Sequence, residues 1–379
     1  MPHRFEVLDA LRGICACGVV FFHFHTNGII TNSDFARGSW MFVDFFFVLS
    51  GFVIYASYGE RLRSGYSVGR FMGLRLGRVY PMYLFVLALL VAFELLQVAV
   101  PSLSPRPTFE GFTSLELLWL NLSFLQIFGI VDTLGWNGPG WSIAAEVWTY
   151  LLMALVLRVF HRNPWPAIAL LAAGSFAVMV AGGDPWLDRT YENALFRCVA
   201  GFAMGMALYR FAIAGKDGLK GIAATLLEAL AIVAVVWMVS QREGAVTLLA
   251  PFVFTAAIWV FAGEGGWFSR VLHGRIFALL GVLSYSIYIM HVFVQARFRN
   301  VLEMAERFVD LPVDVVRLAD GRQEVAGAGP WPDLMALAML LAVVVASWIT
   351  YHLVEAPARR WSRRLLVKDR AAAASAVPS

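Results

Sequence analysis

Apolar runs of about twenty residues, most of them closed by a short arginine-bearing stretch, repeat from one end of this chain to the other. Roughly 20 apolar residues at 1.5 Å per residue cross the ~30 Å hydrocarbon core of a bilayer. The runs predict ten spanning helices, at about 8–25, 38–57, 80–100, 143–161, 164–181, 193–213, 220–239, 245–263, 276–298 and 331–355. An eleventh run, Leu115–Val131, carries Glu116, Asn121 and Gln126 and reads equally well as an interfacial or re-entrant segment. Charge decides between these readings. With ten spans and a cytoplasmic start, the inward segments hold nineteen Lys and Arg, among them Arg4, Arg61, Arg158, Lys216 and Arg363, and the outward segments hold nine, among them Arg37, Arg106, Arg242 and Arg307. An eleventh span would carry the basic C-terminal cluster outside, against the positive-inside rule. The expected architecture is therefore an all-α polytopic membrane protein with about ten transmembrane helices and both termini cytoplasmic. It divides into a membrane domain over 1–361 and a basic, disordered tail over 362–379.

Composition removes the soluble alternatives. The chain of 379 residues is 60% hydrophobic and only 15% charged, with a mean hydropathy of +0.70. Arg12 inside the first apolar run, and the opening MPHRFEVLD, do not read as a cleaved leader. Cys15 and Cys17 lie two apart on a helix and point to different faces, so with Cys198 they make neither a disulfide framework nor a metal site. Two outer connections are long, 101–142, opening with PSLSPRP, and 299–330, ending in the flexible run VAGAGP. Long loops on one face are where a large external ligand would be held.

The chemistry lies in the polar residues that interrupt the spans, since an ionisable group in hydrocarbon normally faces a protein interior or a wet cavity. Arg12 and His23 sit eleven residues apart on the first span, about 16 Å along a helix. The bland alternative is an arginine snorkelling to the interface, with His23 and His25 among headgroups. Alternating span direction brings His23, Asp44, Glu146 and His291 to a similar outer depth from four separate helices. A histidine beside a carboxylate is a general-base arrangement, and a structural polar network is the competing reading. Arg75 and Arg78, three apart on one helix face at the inner side, suit phosphate recognition, or serve only as topology charges. A buried Arg12–Glu355 pair is a further expectation. Glu94, Glu228 and Arg197 also lie in spans, where structural pairing is expected.

Five segments in order resemble the acyltransferase family 3 of integral membrane acyltransferases. They are LDALRGICACGVVFFH with Arg12 and His23, FVDFFFVLSGF with Asp44, Ser50 and Gly51, RLGRVYPMY with Arg75 and Arg78, GPGWSIAAEVWTY with Trp141, Ser142, Glu146 and Tyr150, and LSYSIYIMH with Tyr285, Ser286, Tyr288 and His291. The resemblance covers nearly the whole chain. It implies an O-acyltransferase of the bacterial inner membrane that moves an acyl group, usually acetyl, from cytoplasmic acyl-CoA to a hydroxyl of an outer glycan such as an exopolysaccharide or O-antigen. His23 is carried over as the catalytic residue, with Asp44 and Glu146 beside it. Arg75 and Arg78, with Arg12, become donor contacts. Ser50, Trp141, Ser142, Tyr150, Tyr285, Ser286 and His291 are left as substrate contacts. Neither metal nor nucleic acid is implied. A small-molecule acceptor such as a macrolide, or a lipid, is the alternative. A proton-coupled transporter using Arg12, Glu228 and His291 is the reading from another class, and no internal repeat supports it. Direct attack and a covalent relay through His23 or Tyr150 both stay open.

Overall fold

The computed structural model describes residues 5–101, 107–214, 218–319 and 321–374. Arg4, Arg106 and Lys216 of the charge pattern, most of PSLSPRP and the last tail residues 375–379 lie outside the described residues. The chain forms α1 (Glu6–His23), α2 (Phe42–Ile54), α3 (Val68–Ala99), α4 (Gly140–Val159), α5 (Trp165–Ala181), α6 (Ala194–Leu208), α7 (Gly221–Val239), α8 (Ala250–Phe261), α9 (Arg275–Ala305) and α10 (Trp331–Thr350). Seven helical stretches are long and apolar enough to cross a membrane. Of the other expected spans, α5 and the stretch Ala245–Phe261 are shorter apolar helices, and the 18-residue α1 carries Glu6, Asp9 and Arg12. The bundle exposes apolar side chains and buries charged ones within its apolar core: Leu170 is 75% exposed and Leu341 63%, whereas Arg197 and Asp44 are 1% exposed. That inversion suits a solvent of lipid tails.

Glycine sets two close helix crossings. A Cβ on Gly13 of α1 would lie 2.4 Å from the Leu280 carbonyl carbon, and one on Gly281 of α9 would lie 2.5 Å from the Asp9 carbonyl oxygen. Hence α1 and α9 touch backbone to backbone, as small residues permit inside membranes. Gly51 of α2 and Gly205 of α6 do the same, with Cβ positions 2.0 Å from the Phe202 oxygen and 1.9 Å from the Val48 oxygen. Both pairs run parallel, which agrees with the alternating directions read from the loops.

One outer connection agrees with the charge-based reading and one departs from it. Leu115–Val131 contains only a short helix, Leu115–Leu122, far less than a bilayer requires. Asn121 and Gln126 turn inward, while Glu116 is exposed: Tyr83 of α3 donates to Asn121 Oδ1 (3.2 Å) and accepts from Gln126 Nε2 (3.1 Å). The run VAGAGP is not a flexible end. Val313–Arg317 (β2) and Gln323–Gly327 (β3) form an antiparallel pair, and β3 then pairs in parallel with His25–Thr26 (β1). This small sheet, the one departure from an all-α fold among the described residues, closes over the end of α1. On the other side of the bundle a π-helical turn, Tyr351–Glu355, joins α10 to a helix over Ala356–Ala374. The segment expected as a disordered tail is thus helical through Ala374.

Candidate active site

Two helices bring three guanidinium groups to one cavity. Arg12 projects from α1 against α9, donating from Nε to Ser284 Oγ (2.8 Å) and from Nη2 to the Gly281 carbonyl (3.1 Å), with Asp9 3.1 Å away. Arg75 and Arg78 come from the first half of α3, just before Pro81. Proline has no N–H, so the Gly77 carbonyl loses its helical donor. Ser362 Oγ, from the C-terminal helix, approaches that carbonyl at 3.5 Å. A Cβ on Gly77 would lie 2.4 Å from Ser362 Cβ. The C-terminal helix therefore backs the RLGR turn. Tyr285 of α9 holds the turn from another side by donating to the Val79 carbonyl (2.6 Å).

The cavity is lined by Arg12, Arg75 and Arg78 together with Ser50, Ser142, Glu146, Tyr150, Tyr285 and Tyr288. Glu146 is the one carboxylate in that lining, and Tyr150, one turn on, donates to its Oε1 (2.5 Å). Arg75 lies 5.2 Å from the Tyr58 ring centre, and its Nε is buried with no hydrogen-bond partner among the described residues. An excess of fixed cations, with a guanidinium N–H left unsatisfied, is a place for an anionic or strongly accepting group.

The two histidines lie beyond this cavity and are separated from it by Tyr288. Tyr288 Oη meets Ser142 Oγ (2.8 Å) and the Pro139 carbonyl (3.2 Å), and its ring sits edge-on to Phe46 at 5.7 Å. On its far side, the Tyr288 carbonyl receives His291 Nδ1 (2.6 Å). His291 Nε2 is 3.2 Å from His23 Nδ1, which also faces the Val19 carbonyl at 3.0 Å. Carbonyls only accept, so each Nδ1 carries its proton. His291 is then neutral and accepts through Nε2, and His23 is left with a bare Nε2 lone pair. The tautomer follows from the backbone without a carboxylate.

The expected carboxylate partners are elsewhere. Asp44 is forked by Arg197, Nε to Oδ1 at 2.9 Å and Nη2 to Oδ2 at 2.7 Å, and the same guanidinium lies between Trp40 (5.0 Å) and Trp141 (5.2 Å). Asp44 and Trp141 thus belong to a buried ion-pair cage that locks α2 to α6. Arg12 does not reach Glu355: Glu355 takes Ser286 Oγ (2.7 Å) and Arg359 (3.3 Å), which removes Ser286 from the cavity wall. Glu228 accepts from the backbone of Gly266 (2.9 Å) and Ser269 (3.2 Å), and Glu94 from Phe109 N (3.2 Å). Structural pairing therefore accounts for Arg197, Glu228 and Glu94. Tyr288 is the residue that spacing undervalued; its place one turn before His291 was the available signal.

The family described as acyltransferase domain matches residues 5–355. The chain is 39% identical over 198 residues to the protein named protein 2 in the picA locus of Rhizobium radiobacter, a match covering 48% of this chain and 97% of that one. It is 26% identical over 164 residues to a protein of Acidianus two-tailed virus whose name describes it as an acetyltransferase, ORF330, covering 43% of each. No solved structure matches. With its cavity, its histidine pair and this match over nearly its whole length, the chain belongs to the acyltransferase domain family and is a multi-pass membrane enzyme that transfers acyl groups.

Proposed function

We propose that the enzyme moves an acetyl or similar acyl group from acyl-CoA on the inner side to a hydroxyl of an acceptor on the outer side, with a glycan as acceptor. Ten spans with both termini inside give the orientation this requires, His23 facing outward and Arg75 and Arg78 inward. The observation that carries the reading is the His23–His291 contact (3.2 Å), which together with the Val19 carbonyl turns the His23 Nε2 lone pair free, beside a cavity holding three arginines.

The steps follow from those positions. Arg75 and Arg78 engage the donor's phosphates at the inner mouth, and Arg12 and Ser50 line the way for its pantetheine arm. Because Tyr288 and Phe46 stand between the cavity and the histidines, the thioester reaches His23 when this wall yields. His23 Nε2 then takes the proton of the acceptor hydroxyl, whose oxygen attacks the thioester carbonyl. The C–S bond breaks, and the imidazolium returns the proton to the departing thiolate. General-base catalysis of this kind contributes about 10²–10⁴-fold.

The test is to follow labelled acetyl-CoA with membranes holding the enzyme and to analyse the polysaccharide for label. His23→Gln should insert normally and lose nearly all transfer; full activity in that variant rules out the mechanism. Incubation without acceptor should leave no label on the protein by mass spectrometry. A kinetically competent acyl-His23 or acyl-Tyr150 would replace direct attack with a covalent relay.

A further inference from the structure

Beyond the histidine pair the chain assembles a second polar cluster that acyl transfer as described does not use. β1 places His25 two residues past His23, and the short helix Asp34–Gly38 sets Arg37 Nη1 at 3.2 Å from His25 Nδ1. Arg37 also donates to Asn32 Oδ1, and Asn32 Nδ2 holds the Thr26 (2.8 Å) and Gly28 (2.9 Å) carbonyls. The guanidinium is therefore mounted on a braced loop. Arg299 comes from α9, eight residues past His291, and its guanidinium lies 5.9 Å from the ring centre of Phe24. Its Nε is buried and has no hydrogen-bond partner among the described residues.

Both arginines are half-buried. Among the described residues neither has a carboxylate within ion-pair distance; Glu324 and Glu303 act on them only from farther away. Glu303 already accepts from Gln323 (3.0 Å), and Glu306 from Val315 N (3.1 Å). An arginine cannot shed its charge, so a half-buried one without a counter-ion leaves a cost that a ligand anion would remove. Burial, and then the charges of Arg37, Arg322 and Arg299, push His25 down to about 4. It is therefore neutral, and since Nδ1 accepts from Arg37 its proton is on Nε2, one more donor.

We propose that this cluster selects an acidic acceptor: a sugar carboxylate or phosphate is held by Arg37 and Arg299 while a neighbouring hydroxyl is presented to His23. The inference rests on the acyl-transfer reading and names its acceptor class.

The test uses the full-length enzyme in nanodiscs and an oligosaccharide containing glucuronate, beside the same oligosaccharide with its carboxyls reduced to alcohols. A glucose oligosaccharide bearing a phosphate ester is the second anionic probe. The wild type should use the acidic forms with the lower KM. Arg37→Gln and Arg299→Gln should each raise that KM by about ten- to a hundredfold, leave KM for the reduced form and acetyl-CoA hydrolysis unchanged, and recover in Arg37→Lys. Equal use of charged and neutral forms, or equal losses on both, overturns the proposal. So does a variant whose only change is in its response to added anionic lipid, because the arginines then serve headgroups. Direct binding of the fluorescently labelled acidic probe separates this inference from the reaction itself. Binding that is lost in the variants sustains the anion site even without transfer, and absence of binding in the wild type overturns it.

Discussion

The unusual chemical choice in this protein is an imidazole oriented by another imidazole and two backbone carbonyls. His291 occupies the position a carboxylate would be expected to fill, and with the Val19 carbonyl it orients the His23 ring without introducing a charge. His291→Ala should therefore insert normally but lower kcat about 10²-fold, because the His23 ring then keeps only the Val19 carbonyl to orient it. His291→Gln, which keeps an acceptor, should retain more activity than Ala, with little change in donor KM; equal activity of the two would show that the contact does not orient the base. Asp44 calls for the opposite experiment. Breaking a buried pair by removing one partner costs about 3–5 kcal/mol, so Asp44→Asn should lower thermal stability in detergent as well as activity. The double change Asp44→Asn with Arg197→Gln should recover much of both. A stable but inactive double variant would return Asp44 to the chemistry.

At the level of elements, catalytic geometry depends on glycines at the crossings. Ten residues separate Gly13 from His23 on α1, and ten separate Gly281 from His291 on α9. Two parallel helices locked at the glycines thus hold the imidazoles level about 15 Å farther along. Gly281→Ala should force α1 and α9 apart, costing about 1–3 kcal/mol as overpacking does, and should lower activity beyond what the loss of folded protein explains. Gly174→Ala on α5, where nothing lies within 4 Å of the added carbon, is the control and should be neutral. Equal behaviour of the two in melting and turnover would contradict the packing argument. The same scale explains what the sequence concealed. Spacing along one helix revealed Arg12 with His23 and Arg75 with Arg78, because periodicity encodes which residues share a face. The partner of Asp44 and the Ser286 that Glu355 accepts from come from crossings between helices, and no local pattern encodes a bond from residue 44 to residue 197. β3 escaped notice because small residues and glycine mask its alternation, and its parallel partner is a two-residue strand whose residues lie 299 positions earlier.

For the whole molecule, the helices were legible as apolar runs, and their boundaries moved mainly where helices extend beyond the hydrocarbon: α3 has 32 residues and α9 has 31. Orientation is the remaining whole-molecule prediction. Asp310→Cys should react with a membrane-impermeant maleimide from outside intact cells, and Ser64→Cys only after permeabilisation. The reverse pattern would invert the donor and acceptor sides. The parallel contact of α1 with α9 has a consequence for biogenesis. The ribosome delivers His23 to the membrane among the first spans and His291 among the last, so the base lacks its orienting partner through most of synthesis. On the proposed mechanism, a half-inserted chain holds an imidazole without the partner that orients it, and activity starts only when α9 has packed against α1.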